Sequence, residues 1–125
     1  MIAGIGVDII EIQRIQKSIA SFGESFLERI FTPGEIQYCK AKSNAAQHFA
    51  ARFAAKEAVT KAFATGWRGD FSWKDIEVTN DELGQPHITL HGDLKERLSH
   101  VSVFVSLSHS DNHVVAMAVM EKGGT

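Results

Sequence analysis

Two acidic residues stand where the surrounding sequence favours burial. Asp8 lies in "GIGVDIIEI", among β-branched residues typical of a strand, and Glu57 lies in "RFAAKEAVTKAF", among alanines and phenylalanines. A carboxylate that is buried without a partner is strongly destabilising, so each of the two needs a cation. Two carboxylates with open coordination positions suit a Mg²⁺ ion that also binds the phosphates of a substrate. One interpretation of the sequence is therefore that Asp8 and Glu57 jointly hold a divalent metal.

A purely structural role is the alternative for both acids. Asp8 can form an ion pair with Arg14 or with a lysine of the helix that carries Glu57. Glu57 itself can pair with Lys61 four residues on, which contributes a few tenths of a kcal/mol on a helix surface. The sequence alone leaves the metal and the ion pairs both open.

The helix around Glu57 has two unlike sides when successive residues are placed about 100° apart. One side carries small residues that allow close packing: Ala51, Ala54, Ala55, Ala58 and Ala62. The other side mixes phenylalanines with polar and charged residues: Phe49, Phe53 and Phe63 with Arg52, Lys56, Glu57, Thr60 and Lys61. Such a mixture is unusual for a solvated face and for a core face. It predicts a cleft or a boundary between subunits.

The stretch "SLSHS", residues 106–110, places hydroxyl groups and His109 where a strand turns back. A turn of this kind offers hydrogen-bond donors to a phosphate, although serines are also common in ordinary hairpin turns. Ser108 and His109 are not a hydrolase pair, because adjacent residues of a strand point to opposite faces.

The elements that carry these residues follow from hydrophobic spacing. Asp8 belongs to a first strand over residues 1–10, followed by a helix over residues 11–20. A capping box is expected at Ser21–Glu24, and a stronger one from Thr32 to Glu35 starts a further helix. Glu57 lies on a long helix that begins at Asn44 and runs to Thr65, with Gly66 as its stop.

The last third of the chain predicts two hairpins. "DIEVT" and "HITL" flank the turn "NDELGQP", and "VSVFVSLSH" and "HVVAMAVM" flank residues 110–112. The segment "GDLKERLSH" between the hairpins is a short helix, with Asp93 and Glu96 as its cap pair. Trp67, Phe71 and Trp73 are expected to pack within the loop after the long helix. The order of elements predicts an α+β fold, with a mostly antiparallel sheet packed on a long central helix.

Composition narrows the class of protein. The 125 residues fit a single domain, 1–125, and a formal net charge of −2 gives no indication of nucleic-acid binding. The only cysteine, Cys39, has no partner for an internal disulfide, which favours a reducing compartment. The apolar start has no cationic leader and contains Asp8, so it is interpreted as a strand instead of a signal peptide or membrane span. We therefore expect a cytoplasmic protein with no membrane contact.

Four segments in this order resemble the holo-[acyl-carrier-protein] synthase family, the small type of 4′-phosphopantetheinyl transferase. They are "GIGVDIIEI", "RFAAKEAVTKAF", "NDELGQP" and "SLSHS", and the likeness extends from Met1 to about Glu121. The first two segments are the specific ones. The resemblance implies a 4′-phosphopantetheinyl transferase fold and a homotrimer with active sites between subunits, in keeping with the mixed side of the long helix.

The resemblance also implies a reaction and a set of residues. The enzyme would transfer 4′-phosphopantetheine from coenzyme A to a serine of apo acyl carrier protein in fatty acid biosynthesis, with Mg²⁺ as cofactor and 3′,5′-ADP as the second product. The family's metal-binding aspartate and glutamate match Asp8 and Glu57, and its lysine near the phosphates matches Lys61. Residues around the nucleotide end match Arg52, Lys56, Gly84, Pro86, Ser108 and His109.

The proton route stays open at this point: Glu57, Asp8 or a metal-bound water could accept the serine proton, and Lys61 could stabilise the phosphates or protonate the leaving group. Arg14 and Lys17, on the outward side of the first helix, are the predicted contacts to an acidic carrier protein. Two other classes are compatible with the residues, namely a trimeric nucleotide-binding module without transfer and a metal-dependent phosphohydrolase.

Overall fold

One strand, four helices and two hairpins follow one another along the chain, with a fifth helix between the hairpins. The computed structural model describes residues 1–63 and 71–123. The helices are α1 (Ile12–Phe22), α2 (Glu24–Ile30), α3 (Pro33–Lys40), α4 (Ala45–Ala62) and α5 (Gly92–Arg97). The strands are β1 (Ile2–Glu11), β2 (Ile76–Asn80), β3 (Pro86–Leu90), β4 (Val101–His109) and β5 (His113–Lys122). A 3₁₀ turn (Trp73–Asp75) precedes β2.

The strands form two antiparallel sheets. The first has the order β1-β5-β4, and the second is the separate hairpin β2-β3. Helix α4 packs across β1 and β5 of the larger sheet. The predicted α+β class is confirmed, as is the long central helix, while the strand order depends on the long-range pairing of β1 with β5.

Two glycines bring β1 against the backbone of α4. A Cβ atom on Gly4 would lie 1.9 Å from the carbonyl oxygen of Ala62, and one on Gly6 would lie 2.0 Å from that of Ala58. No larger residue fits at either position, because the obstructing atoms belong to the helix backbone. The alanines of α4 and the glycines of β1 thus allow the strand and helix to pack at very short range, and Asp8 is the next residue on the same face of the strand.

The helix ends follow local sequence signals only in part. Thr32 and Glu35 form the predicted capping box of α3. The box predicted at Ser21–Glu24 is wrong, because α1 extends to Phe22 and Gly23, with φ 58°, separates it from α2. The cap pair of Asp93 and Glu96 is also wrong, since His91 holds the cap position of α5 and makes no side-chain cap bond.

The predicted start of α4 at Asn44 is confirmed, whereas its predicted end lies outside the described residues. Asn44 occupies the cap position as expected, but its side chain bonds to the Gln47 side chain and makes no cap bond to the backbone. The helix ends at Ala62, and the predicted stop at Thr65 and Gly66 lies outside the described residues, as does Trp67.

Half of the residues on the mixed side of α4 are buried within the chain itself. Phe49 packs on Phe31 with ring centroids 5.0 Å apart, and the partly exposed Phe53 lies 5.7 Å from Trp73. Arg52 and Lys56 are also buried. The predicted cleft is present at Arg52, which lines a cavity, and the predicted subunit boundary stays a prediction.

An exposed apolar surface lies on the outer face of the larger sheet, away from α4. Its members lie on all three strands and are exposed by a third or more: Ile5, Val7, Ile9, Phe104, Val115 and Met117. We call these six residues the outer sheet face. Within the described ranges, no helix is both long and apolar enough to span a membrane.

Candidate active site

Asp8, Glu57 and Lys61 meet where β1 crosses the C-terminal half of α4. The Lys61 ammonium donates to Asp8 Oδ1 at 3.0 Å and to the carbonyl oxygen of Val7 at 3.0 Å. The Asp8 side chain is only 13% exposed, whereas that of Lys61 is 53% exposed. Of the predicted structural pairs, the one between Asp8 and a lysine of the long helix is present. That lysine is Lys61, and its two hydrogen bonds attach α4 to β1.

The second oxygen of Asp8 is buried and has no hydrogen-bond partner among the described residues. Burial raises the pKa of the neighbouring Glu57 carboxyl, and the negative charge of Asp8 raises it further, while Lys61 acts in the opposite direction. The two carboxylates thus repel each other, and one half-exposed ammonium does not compensate both. We call Asp8, Glu57 and Lys61 the carboxylate cluster.

The donors of the carboxylate cluster fit a hard cation. Both acids offer oxygen atoms, and one of these oxygens is buried without a partner. No third histidine, cysteine or acid within residues 1–63 and 71–123 joins them in a metal-binding group. A site with two carboxylates and several open positions suits Mg²⁺, which keeps waters and substrate phosphates as ligands, and is poorly suited to a structural Zn²⁺.

A cavity of about 550 Å³ lies toward the N-terminal half of α4, between that helix, α3, the β2-β3 turn and β4. Five of the six residues predicted at the nucleotide end line it: Arg52, Gly84, Pro86, Ser108 and His109. Nucleotide contact by these residues stays a prediction, since the cavity shows only that they share one surface. Its floor is partly apolar, with Val103, Val105 and Leu107 from β4.

The walls of this cavity carry positive charge and no acid. None of the described lining residues is an aspartate or glutamate, while Arg52, His48, His87 and His109 all belong to the lining. Burial lowers the pKa of His48, and the charges of Arg52, Lys42 and His109 lower it further. A cavity that holds the Arg52 guanidinium and no acid among its described lining residues favours an anionic ligand.

Arg52 is held in place from two sides. Its guanidinium lies over the Tyr38 ring, 4.2 Å from the centroid, and Nη2 donates to Asn80 Oδ1 at 2.6 Å. Asn80 in turn donates to the carbonyl oxygen of Gly84 at 3.0 Å. The Nε of Arg52 is buried without a partner among the described residues. The planar donor group is therefore oriented, with part of its hydrogen-bonding capacity unused.

The predicted contact between Lys56 and the nucleotide is wrong. Its side chain is 0% exposed, and its ammonium is bonded to Glu35 Oε1 at 2.9 Å and to the carbonyl oxygens of Trp73 and Ile76. An ammonium has three N–H donors, so all of them are engaged inside the protein. Lys56 does not line the cavity and has no donor left for a ligand.

Sequence reasoning missed Tyr38, His48 and Asn80 as cavity residues. The sequence itself indicates His48 as a cavity residue, because His48 precedes Arg52 by one helical turn and therefore lies on the same side of α4. Tyr38 and Asn80 come from other elements, and their approach depends on the packing of α3 and β2. Arg14 and Lys17 are exposed on α1, so their predicted contact with a partner stays a prediction.

Comparison with known proteins adds relatives that match nearly the whole chain. Residues 4–118 match the model of the 4′-phosphopantetheinyl transferase superfamily. The holo-[acyl-carrier-protein] synthase of Geotalea daltonii is 49% identical over 125 residues, covering 98% of this chain and 100% of the relative.

Two solved structures are similar in both sequence and fold. The holo-[acyl-carrier-protein] synthase of Neisseria meningitidis is 38% identical, with a TM-score of 0.88 and coverage of 98% of this chain and 100% of that chain. The synthase of Bacillus anthracis, solved in complex with CoA (3′,5′-ADP), is 40% identical, with a TM-score of 0.81 and coverage of 98% and 99%. All these similarities span the carboxylate cluster and the cavity.

Proposed function

Because the chain belongs to the holo-[acyl-carrier-protein] synthase family and is a 4′-phosphopantetheinyl transferase, we propose that it moves the 4′-phosphopantetheine arm of coenzyme A to a serine of apo acyl carrier protein. The reaction depends on Mg²⁺ and releases 3′,5′-ADP. The observation that carries this proposal is that two features share helix α4: the cavity with the oriented Arg52 and no acid among its described lining residues, and the carboxylate cluster, in which Glu57 of α4 lies beside Asp8 of β1.

The cavity is the proposed seat of the 3′,5′-ADP part of coenzyme A. Arg52 supplies positive charge for the phosphates, His109 supplies a ring nitrogen for a hydrogen bond, and Ser108 supplies a hydroxyl at the end of β4. Gly84 and Pro86 belong to the β2-β3 turn that lines the cavity, and they are the proposed contacts of the nucleoside. Arg52 is the main recognition group, because its orientation is fixed by Tyr38 and Asn80 before any ligand binds.

Asp8 and Glu57 are the proposed Mg²⁺ ligands. Their repulsion and the unpartnered Asp8 Oδ2 support this assignment, because a bound cation relieves both. When bound there, Mg²⁺ supplies charge neutralisation for the pyrophosphate of coenzyme A. Lys61 is half exposed on a flexible side chain, so its ammonium can turn from Asp8 to the phosphates as the cation takes over the carboxylate.

The transfer step is a displacement at the β-phosphorus, next to pantetheine. The serine oxygen of the carrier forms a bond to this phosphorus, and the bond from phosphorus to the oxygen of 3′,5′-ADP breaks, with both bonding electrons leaving on the nucleotide. Glu57 accepts the serine proton, because it is the partly exposed carboxylate of the cluster and can be reached by the incoming serine. Lys61 stabilises the negative charge that builds on the departing phosphate.

Arg14 and Lys17 are the proposed contacts to the carrier protein. Both lie exposed on α1, which directly follows the strand that carries Asp8. Positive charges there would attract an acidic carrier and guide its serine toward the carboxylate cluster. We also expect the enzyme to work in the cytoplasm, because Cys39 is free and buried.

A homotrimer is the proposed assembly. The outer sheet face exposes Ile9 by 63% and Phe104 by 56% and lies on three adjacent strands, which is more contiguous apolar surface than a monomer usually leaves in water. Within one chain, the residues that line the cavity do not include Asp8, Glu57 or Lys61. Association through this face would bury it and would allow the cavity of one subunit to serve the carboxylate cluster of a neighbour.

One experiment tests the reaction. The protein is incubated with coenzyme A, Mg²⁺ and apo carrier protein, and the products are weighed by mass spectrometry. Transfer predicts that the carrier gains one phosphopantetheine arm and that 3′,5′-ADP accumulates in equal amount. Binding of coenzyme A without any gain in carrier mass would support the nucleotide-binding module, and cleavage of coenzyme A without the carrier would support the phosphohydrolase.

Mixing inactive variants tests the shared site. Asp8→Asn chains retain the cavity, and His109→Ala chains retain the carboxylate cluster. If the two sites meet between subunits, mixed trimers formed by unfolding and refolding the variants together recover part of the activity that each variant lacks alone. Met117→Asp, on the outer sheet face, should prevent this recovery by dissociating the trimer, whereas Phe22→Asp, at an exposed apolar residue of α1 outside that face, should not.

A further inference from the structure

The most deeply buried charged groups of the described chain lie outside the residues that act on the substrate. Lys56 is 0% exposed, and Glu35 is 1% exposed. Their side chains form an ion pair of 2.9 Å between the middle of α4 and the first turn of α3. We call this the Lys56–Glu35 pair.

Every contact of the Lys56–Glu35 pair joins a different part of the chain. Lys56 donates to the carbonyl oxygen of Trp73 at 3.0 Å and to that of Ile76, where β2 begins, at 2.6 Å. Glu35 accepts from the backbone N–H of Thr32 at 2.8 Å and from that of Val78, in the middle of β2, at 2.8 Å. Two of these four backbone hydrogen bonds, to Ile76 and from Val78, attach β2 to α4 and α3, while the bond to Trp73 holds the turn before β2 and the bond from Thr32 belongs to the capping box of α3.

The strand that this pair holds also carries a wall of the cavity. At its far end, Asn80 accepts from Arg52 and donates to the carbonyl oxygen of Gly84. Arg52 precedes Lys56 by one turn of α4, so β2 is attached to one side of the helix at both of its ends. The position of the β2-β3 turn, with Gly84 and Pro86, relative to Arg52 therefore depends on where Lys56 and Glu35 hold β2.

A gain in stability does not by itself account for such a pair. A buried ion pair costs so much desolvation that an apolar pair of similar volume is often equally stable or more stable. What hydrogen-bonded charges add is a single geometry, because the ammonium and the carboxylate each have fixed directions for their partners. In this chain that geometry sets the width of the cavity between α4 and the β2-β3 turn.

We propose that Lys56 and Glu35 are positioning residues for coenzyme A, holding the Gly84–Pro86 wall at the distance from Arg52 at which the nucleotide is bound. The inference rests on the proposed seat of 3′,5′-ADP in this cavity. It assigns to Lys56 an effect on substrate affinity that is exerted through β2, without contact between Lys56 and the ligand.

The test compares coenzyme A binding and turnover in a charge-free pair. The double variant Glu35→Gln/Lys56→Met removes both charges together, so that neither is left buried alone, and the glutamine oxygen can still accept from Val78. We expect the Kd for coenzyme A, measured by calorimetry, and the KM to rise by about tenfold or more, because a misplaced wall loses oriented contacts. At saturating coenzyme A, kcat should stay within about threefold, since Asp8 and Glu57 are not displaced.

A matched control separates positioning from loss of stability. Leu27→Ala removes a buried side chain of α2 that does not line the cavity, and it should lower Tm without changing the Kd for coenzyme A. A double variant with unchanged Kd and KM would overturn the inference, as would a control that weakens binding equally at the same loss of Tm. Should the double variant not fold, Lys56→Gln, which keeps an amide donor for Ile76, is judged by the same two outcomes. If the unchanged chain binds no coenzyme A, the proposed function fails, and this inference fails with it.

Discussion

Lys56 and Glu57 are consecutive residues of one helix, yet their surroundings differ in every respect. The Lys56 ammonium is fully buried, and three oxygen atoms accept its three N–H groups. Glu57 is partly exposed, and its pKa is raised by burial and by the charge of Asp8. The two side chains leave the helix about 100° apart. On one side the chain satisfies every N–H group of Lys56, and on the other side it leaves Glu57 beside a like charge.

The contrast separates two kinds of buried charge, those that stabilise the geometry of the fold and those that are available to bind a ligand. Where the chain itself satisfies a buried ion, as at Lys56, no capacity remains for a ligand, and the ion serves the geometry of the fold. Where it leaves like charges together and a buried oxygen without a partner among the described residues, as at Asp8 and Glu57, the site has capacity for a group from outside the chain, such as the proposed Mg²⁺.

Removing either carboxylate should have the largest effect. Asp8→Asn and Glu57→Gln preserve shape but remove charge, so we expect kcat/KM for transfer to fall by about 1,000-fold or more in each, because the phosphates lose their charge neutralisation. Turnover is measured by mass spectrometry of the carrier. Glu11→Gln, which removes an exposed carboxylate from the same strand, is the matched control and should change little. Loss below tenfold in either variant would show that the incomplete site is not the working one.

Arg52 should come next, since it is the oriented cation of the cavity. Arg52→Lys keeps the charge but loses the planar donor group that Tyr38 and Asn80 hold, and the Kd for coenzyme A should rise by about 10- to 100-fold. Calorimetry with coenzyme A and with 3′,5′-ADP should show the same factor for both ligands. An effect on coenzyme A alone would place the nucleotide elsewhere.

Charge reversal on α1 should have a smaller and more selective effect. Arg14→Glu is expected to raise the KM for the carrier protein by about tenfold, because it replaces attraction of an acidic partner by repulsion. Binding of coenzyme A should stay unchanged. Arg29→Glu on α2 carries the same change of charge and serves as the control, and equal effects from both variants would indicate long-range attraction without a defined contact.

The smallest effect concerns stability. Because the pKa of Glu57 is higher in the folded chain than its ordinary value of 4.5, the ionised form is disfavoured by folding at neutral pH. Without Mg²⁺, Glu57→Gln should therefore raise Tm by about 2 °C at pH 7. The difference should shrink as the pH falls through the raised pKa and vanish below the ordinary value, where both states are protonated. A variant that is less stable at pH 7 would contradict the repulsion between Asp8 and Glu57.

Much of the fold could be predicted because it is encoded locally. Gly4, Gly6 and Asp8 alternate on one face of a strand, a local pattern that indicates a close backbone approach, and α4 makes that approach. The Thr32 capping box needs only four consecutive residues. At Gly23, by contrast, two helices meet at a positive φ, and that break overrides the local capping pattern of Ser21 and Glu24.

The candidate site could be predicted where resemblance supplied its residues, and less well where distant partners decide their roles. Lys56 has the same local sequence context as Glu57, but its partner Glu35 lies 21 positions earlier, on α3. Nothing in "RFAAKEAVTKAF" indicates which of its charges the fold will satisfy. In the same way, Asn80 becomes a partner of Arg52 only after β2 has packed beside α4.

A calorimetric titration of Mg²⁺ into the chain with coenzyme A present tests most directly whether Asp8 and Glu57 share one ion. We expect the unchanged chain to bind the ion and the variants Asp8→Asn and Glu57→Gln each to lose this binding. The control variant Glu11→Gln should bind the ion as the unchanged chain does. If either Asp8→Asn or Glu57→Gln retains the affinity of the unchanged chain, the two carboxylates do not share an ion, and the central claim is contradicted.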